Sequence, residues 1–158
     1  MDEILYSIYD TKLGDVTISA KEKAVVGLLY GSNDPENQTF GENTLLLDTI
    51  VEVNRFCYGQ LKNFTIKVEL SGTDFEKKVY EYVMSIPYGE TRSYQDVAVA
   101  IGEPNSARAV AVALNKNPIP IIIPCHRVIG KDGDLVGYVD SLDKKEKLLE
   151  IERETLRK

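Results

Sequence analysis

No helix can run through Asn117-Pro118-Ile119-Pro120-Ile121-Ile122-Ile123-Pro124. Each proline removes a backbone donor and pushes the residue before it into an extended conformation. The segment therefore divides the second half of the chain, with helices expected on either side of it. Its apolar run, residues 121–123, is expected to be buried and to deliver Cys125-His126-Arg127-Val128. His126 is the only histidine in 158 residues, and Cys125 is one of two cysteines. A chain with one imidazole can run histidine chemistry in one place only. The other cysteine, Cys57, has no charged neighbour in sequence closer than Arg55.

Upstream of the prolines, Ala107, Val110, Ala111 and Leu114 recur with helical period, as do Tyr94, Val97, Ala98 and Ile101 after Ser93. Gly102 separates the two stripes, and two short helices joined by a tight turn make a helix-turn-helix candidate. Before them, Thr73 and Glu76 have capping-box spacing. They open a helix with its stripe at Phe75, Val79, Tyr82, Val83 and Ile86, which Pro87-Tyr88-Gly89 ends. Beyond the prolines, residues 130–137 read as a turn-rich loop, and a last helix runs from 142 to the C-terminus. In the first half, residues 4–9, 15–20 and 24–30 read as short strands, with turns at Leu13-Gly14-Asp15 and Lys21-Glu22-Lys23. A polar loop over 31–41, a helix over 42–58 and an extended run over 64–70 complete it. Ser71-Gly72 marks a boundary, giving an N-terminal αβ domain over 1–70 and a C-terminal domain over 71–158.

Composition narrows the class. With 43% hydrophobic residues and nine tyrosines the chain can build a core, which excludes disorder. No apolar run reaches the ~18–20 residues of a membrane span. The acidic start, Asp2 and Glu3, lacks the apolar core of a targeting segment. Two cysteines without repeated spacing fit a reducing cytoplasm better than a disulfide scaffold. The net charge of −6 is uneven: residues 1–71 carry six basic against eleven acidic groups, residues 72–158 thirteen against fourteen. The second half can therefore still present a local basic face.

A free thiol has a pKa of ~8.5, so Cys125 needs a base to become a nucleophile. His126 is the available one. In a strand the two adjacent side chains would diverge, so a turn or a bridging water would have to relay the proton. On the last helix Leu148, Leu149, Glu152 and Leu156 share a face, which places Glu152 in an apolar stripe, where a carboxylate needs a partner. Either His126, needing an orienting group, or a lysine or arginine on the rim meets that need. On the helix-turn-helix candidate, Arg108 lies among Ala107, Ala109, Ala111 and Ala113, side chains small enough for close approach to a groove, though alanine is also simply the best helix former.

Taken together, residues 73–156 resemble the O6-alkylguanine-DNA alkyltransferase family. The resemblance is carried by Gly72-Thr73-Asp74-Phe75, Ile86-Pro87-Tyr88-Gly89-Glu90-Thr91, Ser93-Tyr94-Gln95 and Ala107-Arg108-Ala109-Val110. Asn117 through Val128 and the closing Leu148-Leu149-Glu150-Ile151-Glu152 complete it. The resemblance implies an α+β fold: a small ribonuclease-H-like antiparallel sheet with a helix, then a mostly helical, winged-helix-like domain containing the helix-turn-helix. It implies single-turnover repair, in which a flipped O6-alkylguanine gives its alkyl group to Cys125, leaving a thioether that water does not cleave.

The same resemblance assigns roles by position. Cys125 is the nucleophile, His126 the base acting through a water, Glu152 its orienter, and Asn117 the brace beneath the pocket. Tyr138 donates to the guanine, and the backbone around Cys125 and Val128 reads its exocyclic amine. Lys145 and Val139 line the substrate site. Arg108 fills the gap left by the flipped base, Tyr94 presses on the target phosphate, and Ser93 and Ala109 lie on the minor-groove face. Val139-Asp140-Ser141 departs from the small, glycine-rich loop usual in the family and sets a branched residue and an acid at the pocket mouth. The zinc site of some members needs Cys and His residues absent here, so neither metal nor cofactor is expected. The expected partner is double-stranded DNA carrying O6-alkylguanine, met by a cytoplasmic monomer. A thiol hydrolase would use the same Cys125, His126 and Glu152, but would have no use for the helix-turn-helix.

Overall fold

In a computed structural model describing residues 3–157, the first strand β1 (Leu5–Thr11) turns back into β2 (Gly14–Ala20). Thr11 fixes the turn from both sides: its hydroxyl donates to Gly14 O at 2.7 Å and accepts from Leu13 N–H at 3.1 Å. The turn therefore lies at residues 12–13, one step earlier than the Leu13-Gly14-Asp15 expected. Asp2 and the last residue fall outside the described residues. The chain forms two compact units that meet at Leu70 and Ser71.

The N-terminal unit is a four-stranded sheet in the order β3-β2-β1-β4, with β3 at Val25–Tyr30 and β4 at Thr39–Phe40. β1, β2 and β3 are antiparallel, but β4 runs parallel to β1, so the expectation of a purely antiparallel sheet is corrected. The reason is the return path of residues 31–41, which lay Thr39 N–H on Ile4 O and Gly41 N–H on Tyr6 O. Central strand β2 is buried on both faces. Val16, Ile18 and Ala20 alternate with Thr17 and Ser19, whose hydroxyls donate to Gly31 O and the Gln38 side chain. Those bonds make burial of polar residues tolerable. Helix α1 (Thr44–Cys57) is capped by Asn43 and buries Leu46, Val53 and Phe56. The extended run at 64–70 adds only a single bridge, Val25 to Val68, rather than a strand.

In the C-terminal unit, α2 (Asp74–Met84) opens with the Thr73–Glu76 capping box and buries Val79, Tyr80 and Val83. Tyr80, which the stripe missed, replaces Phe75 and Tyr82, both half-buried. Its hydroxyl donates to Ala113 O at 2.8 Å and ties α2 to the second helix of the helix-turn-helix. That motif comprises α3 (Tyr94–Ala100), capped by a Ser93–Asp96 box, and α4 (Ala107–Asn115). Gly102, at φ +82°, ends α3 in a Schellman turn, with Glu103 N–H on Ala98 O and its own N–H on Val99 O. The helix-turn-helix also carries β5 (Arg92–Ser93), which pairs in parallel with β6 (Val128–Ile129). This short pair, which no periodicity signalled, pins the start of α3 beside the Cys125 segment. The last helix, α5 (Leu142–Arg157), buries Lys145, Leu148, Leu149 and Glu152. Leu156 is half-exposed, so Lys145 takes the place in the stripe that Leu156 was expected to fill.

Among the described residues no helix is long and apolar enough to cross a membrane. A Tyr80→Phe substitution tests the α2–α4 tie. Lys116 N–H still reaches Ala113 O at 3.1 Å, so the carbonyl keeps a partner. The loss read by urea denaturation is then expected near the low end, about 1 kcal/mol.

Candidate active site

The proline segment is held by one side chain. Asn117 accepts from Ile119 N–H and donates to Ile123 O, both at 2.9 Å. Ile123 O also accepts Cys125 N–H at 2.7 Å across Pro124, whose φ −79° and ψ 61° are those of an inverse γ-turn. Ile121 sits at φ 76°, a left-handed conformation that costs a β-branched residue strain. All three isoleucines of the run are buried, as expected. The turn ends in a 3-10 helix, Cys125–Arg127, rather than the strand weighed from sequence. At three residues per turn, adjacent side chains still point apart.

His126 is fully buried and its Nε2 lies 2.5 Å from Glu152 Oε2. Glu152 has two further donors: Gly89 N–H at 2.7 Å, and Arg127 Nε, 3.0 Å from each carboxylate oxygen. Glu152 therefore meets His126, and its basic partner is the buried Arg127 rather than a lysine or arginine on the rim. Arg127 is itself buried, donates to Ile86 O at 2.8 Å and lies over the Tyr88 ring. Gly89, at φ +83°, is suited to the reversal that aims its N–H at α5. Burial alone would raise the Glu152 pKa, but His126, Arg127 and Gly89 together hold it below the usual carboxylate range. Burial likewise lowers the His126 pKa, against the pull of Glu152 and with the help of the Arg127 and Lys145 charges. A neutral imidazole beside an ionised carboxylate donates from Nε2, which leaves the Nδ1 lone pair to accept a proton.

Cys125 is 4% exposed. Burial pushes its thiol pKa up to about 11, opposed by the Asn117 side chain and the Lys145 charge. The resting sulfur is therefore a thiol. Lys145 is the one cation aimed at it from α5: fully buried, with Nζ 2.8 Å from Gly137 O and 5.8 Å from the Tyr94 ring. Burial brings its pKa down to about 8, with Cys125 pulling the other way. No carboxylate pairs with it among the described residues. Val128 is buried beside this turn, while Tyr138 and Val139 are half-buried. Asp140 is tied to Lys144 at 2.8 Å, and Ser141 caps α5 by accepting Lys144 N–H. The acid at the predicted pocket mouth is thus already neutralised.

Tyr94 joins this cluster through Lys145, and Ser93 caps α3. Arg108 and Ala109 stand apart from it, exposed on α4, where they line an open groove of about 550 Å³ with Thr73, Phe75 and Val112. Sequence reasoning missed Arg127 and Gly89 as partners of Glu152. Both were adjacent to residues already singled out, but nothing in their spacing shows contact across 25 and 63 positions. The described residues contain no group of three or more His, Cys, Asp or Glu side chains able to hold a metal.

A buried thiol next in sequence to an imidazole–carboxylate pair, on a unit that presents a helix-turn-helix, belongs to the class of proteins with a cysteine nucleophile on a helix-turn-helix unit. Residues 74–154 match the family described as 6-O-methylguanine DNA methyltransferase, DNA binding domain. The chain is 41% identical over 156 residues to the methylated-DNA–protein-cysteine methyltransferase of Methanosarcina barkeri, covering 96% of this chain and 99% of the relative. It is 46% identical over 147 residues to that of Mycobacterium leprae, covering 91% and 89%. The crystal structure of Mycobacterium tuberculosis OGT in complex with DNA superposes with a TM-score of 0.90 at 36% identity, over 96% of this chain and 94% of that one. The chain belongs to the 6-O-methylguanine DNA methyltransferase family.

The Glu152 network carries a stability signature. Its depressed pKa means that its contribution is complete above the unfolded value of ~4.3 and is lost as pH falls through the folded one. Glu152→Gln should cost about 3–5 kcal/mol at neutral pH, since Arg127 is left buried without its carboxylate. The gap to wild type in denaturant titrations should close in acid. A gap independent of pH would contradict the ionised network.

Proposed function

We propose that this protein repairs DNA by direct reversal, taking the alkyl group of O6-alkylguanine, chiefly O6-methylguanine, onto Cys125. The observation that carries the reading is the buried Cys125–His126–Glu152 arrangement on the unit bearing Arg108. The thiol gives its proton through a water to His126 Nδ1, since the adjacent side chains diverge, while Glu152 holds the imidazole in the Nε2–H form. The thiolate attacks the alkyl carbon, the carbon–oxygen bond breaks as the sulfur–carbon bond forms, and Tyr138 supplies a proton to the departing guanine. Over the whole reaction the thiol proton is exchanged for the alkyl group. Lys145 stabilises the thiolate while it exists, and a raised resting pKa keeps Cys125 inert toward adventitious oxidants. The product thioether has no leaving route, so each chain reacts once.

The target atom is out of reach inside a duplex, so the base must flip. Arg108 enters the gap, and the exposed Ala109 beside it allows close approach in the minor groove, whereas Ala113 is buried in the core. Ser93 sits at the same face, and Tyr94 meets the target phosphate. Asn117 braces the turn, and Val128 and Val139 bound the base. We read the N-terminal unit as ribonuclease-H-like and residues 71–158 as a winged-helix-like domain holding both DNA-binding and reacting residues. The protein acts as a cytoplasmic monomer.

Duplex DNA carrying labelled O6-methylguanine tests this: Cys125→Ser should transfer no label, and transfer by that variant would end the proposal. Arg108→Ala should slow transfer from duplex far more than from free O6-methylguanine base. Lys145→Met separates chemistry from folding. A lysine whose folded pKa of about 8 lies below its unfolded ~10.4 costs stability at neutral pH, a cost relieved as pH rises between the two. The methionine variant should therefore be more stable, on the order of 2 kcal/mol, yet react more slowly. A variant both stable and fully reactive would remove Lys145 from the chemistry.

A further inference from the structure

Glu152 serves two cationic or cation-forming groups at once. Arg127 lies 3.0 Å from both oxygens and His126 2.5 Å from one, all three side chains being buried. One carboxylate charge is thus already balanced by the guanidinium before the imidazole is counted. Protonating His126 would put a second cation on a single anion in a medium that screens poorly, and Lys145 adds a third positive group from the same helix. We propose that Arg127 is a positioning residue for alkyl transfer: by sharing Glu152 it keeps His126 a neutral imidazole, able to take the Cys125 proton. The proposal rests on His126 being the base.

The surroundings of the imidazole are consistent with this. From α5 it meets Glu152 and Lys145, and from its own turn Cys125 and Arg127. Tyr88, before β5, faces the guanidinium and carboxylate, while Tyr80 of α2 and Tyr94 of α3 face the Cys125 sulfur. Glu146 and Arg153 of α5 share with Glu152 a cavity of about 460 Å³, and their opposite charges leave the local balance unchanged. Arg127 is the only one of these groups that bonds both oxygens of Glu152. Removing it would leave the carboxylate with the neutral Gly89 N–H and His126, and an opposite charge no longer shared with a guanidinium favours the imidazolium.

One histidine in the chain means one imidazole signal, so nuclear magnetic resonance can follow His126 without ambiguity. Wild type should show a neutral, Nε2-protonated ring at neutral pH; an imidazolium there overturns the proposal whatever the variants do. In Arg127→Gln the His126 pKa should rise by roughly one to two pH units, and the acid limb of the single-turnover rate should move up with it. Arg127→Lys, which restores a cation, should move both back toward wild type. A folded Arg127→Gln protein whose imidazole titrates as in wild type would refute the proposal. A titration that moves while the rate profile stays put upholds Arg127's hold on the imidazole and removes His126 as the base, so the two failures are distinguishable.

Discussion

The buried carboxylate of Glu152 is the constraint on which the C-terminal unit depends. It sits on α5 and gathers Gly89 N–H from the turn after α2, His126 from the 3-10 turn, and Arg127 beside it. Three otherwise separate pieces of chain are fixed by one group. A buried ion pair of this kind contributes little net stability, because desolvation offsets much of the attraction, but breaking it strands a charge and is costly. Its value is therefore geometric. It fixes the imidazole ring and orients the turn that carries the thiol.

A second constraint acts from the other side of Cys125. Asn117 ties both ends of the proline segment, and Ile121 is held in a left-handed conformation by that closure and by complete burial. The site is therefore preorganised before any DNA arrives. Burial keeps the resting thiol protonated, with its pKa pushed up to about 11, and brings the Lys145 pKa down to about 8. Reactivity depends on a substrate whose electrophilic carbon makes removal of the thiol proton worthwhile, which suits a protein that can react only once.

Much of this was legible in the sequence because it is local. The Thr73–Glu76 box, the Gly102 stop, the helical stripes of α3 and α4 and the helix-breaking prolines act over a few residues and appear in the structure where their spacing places them. Glu152 was legible as a problem, a carboxylate in an apolar stripe, but not as a solution. Its partners lie far away in sequence, and burial of Lys145 in place of Leu156 depends on what the helix packs against. The β5–β6 pair and parallel β4 escaped for the same reason: two-residue strands have no periodicity, and their existence is set by the path of the loops that bring them together. The Cys125–His126 geometry followed the turn, not the dipeptide.

Alkyl transfer to Cys125 is read most directly from the mass of the intact protein as duplex containing O6-methylguanine is added in increments. Transfer to Cys125 predicts a gain of one methylene per chain, confined to the peptide that contains Cys125, reaching a plateau at one equivalent and staying there in excess substrate. Repair that continues past one equivalent, or a methyl group recovered on any other residue, would contradict it.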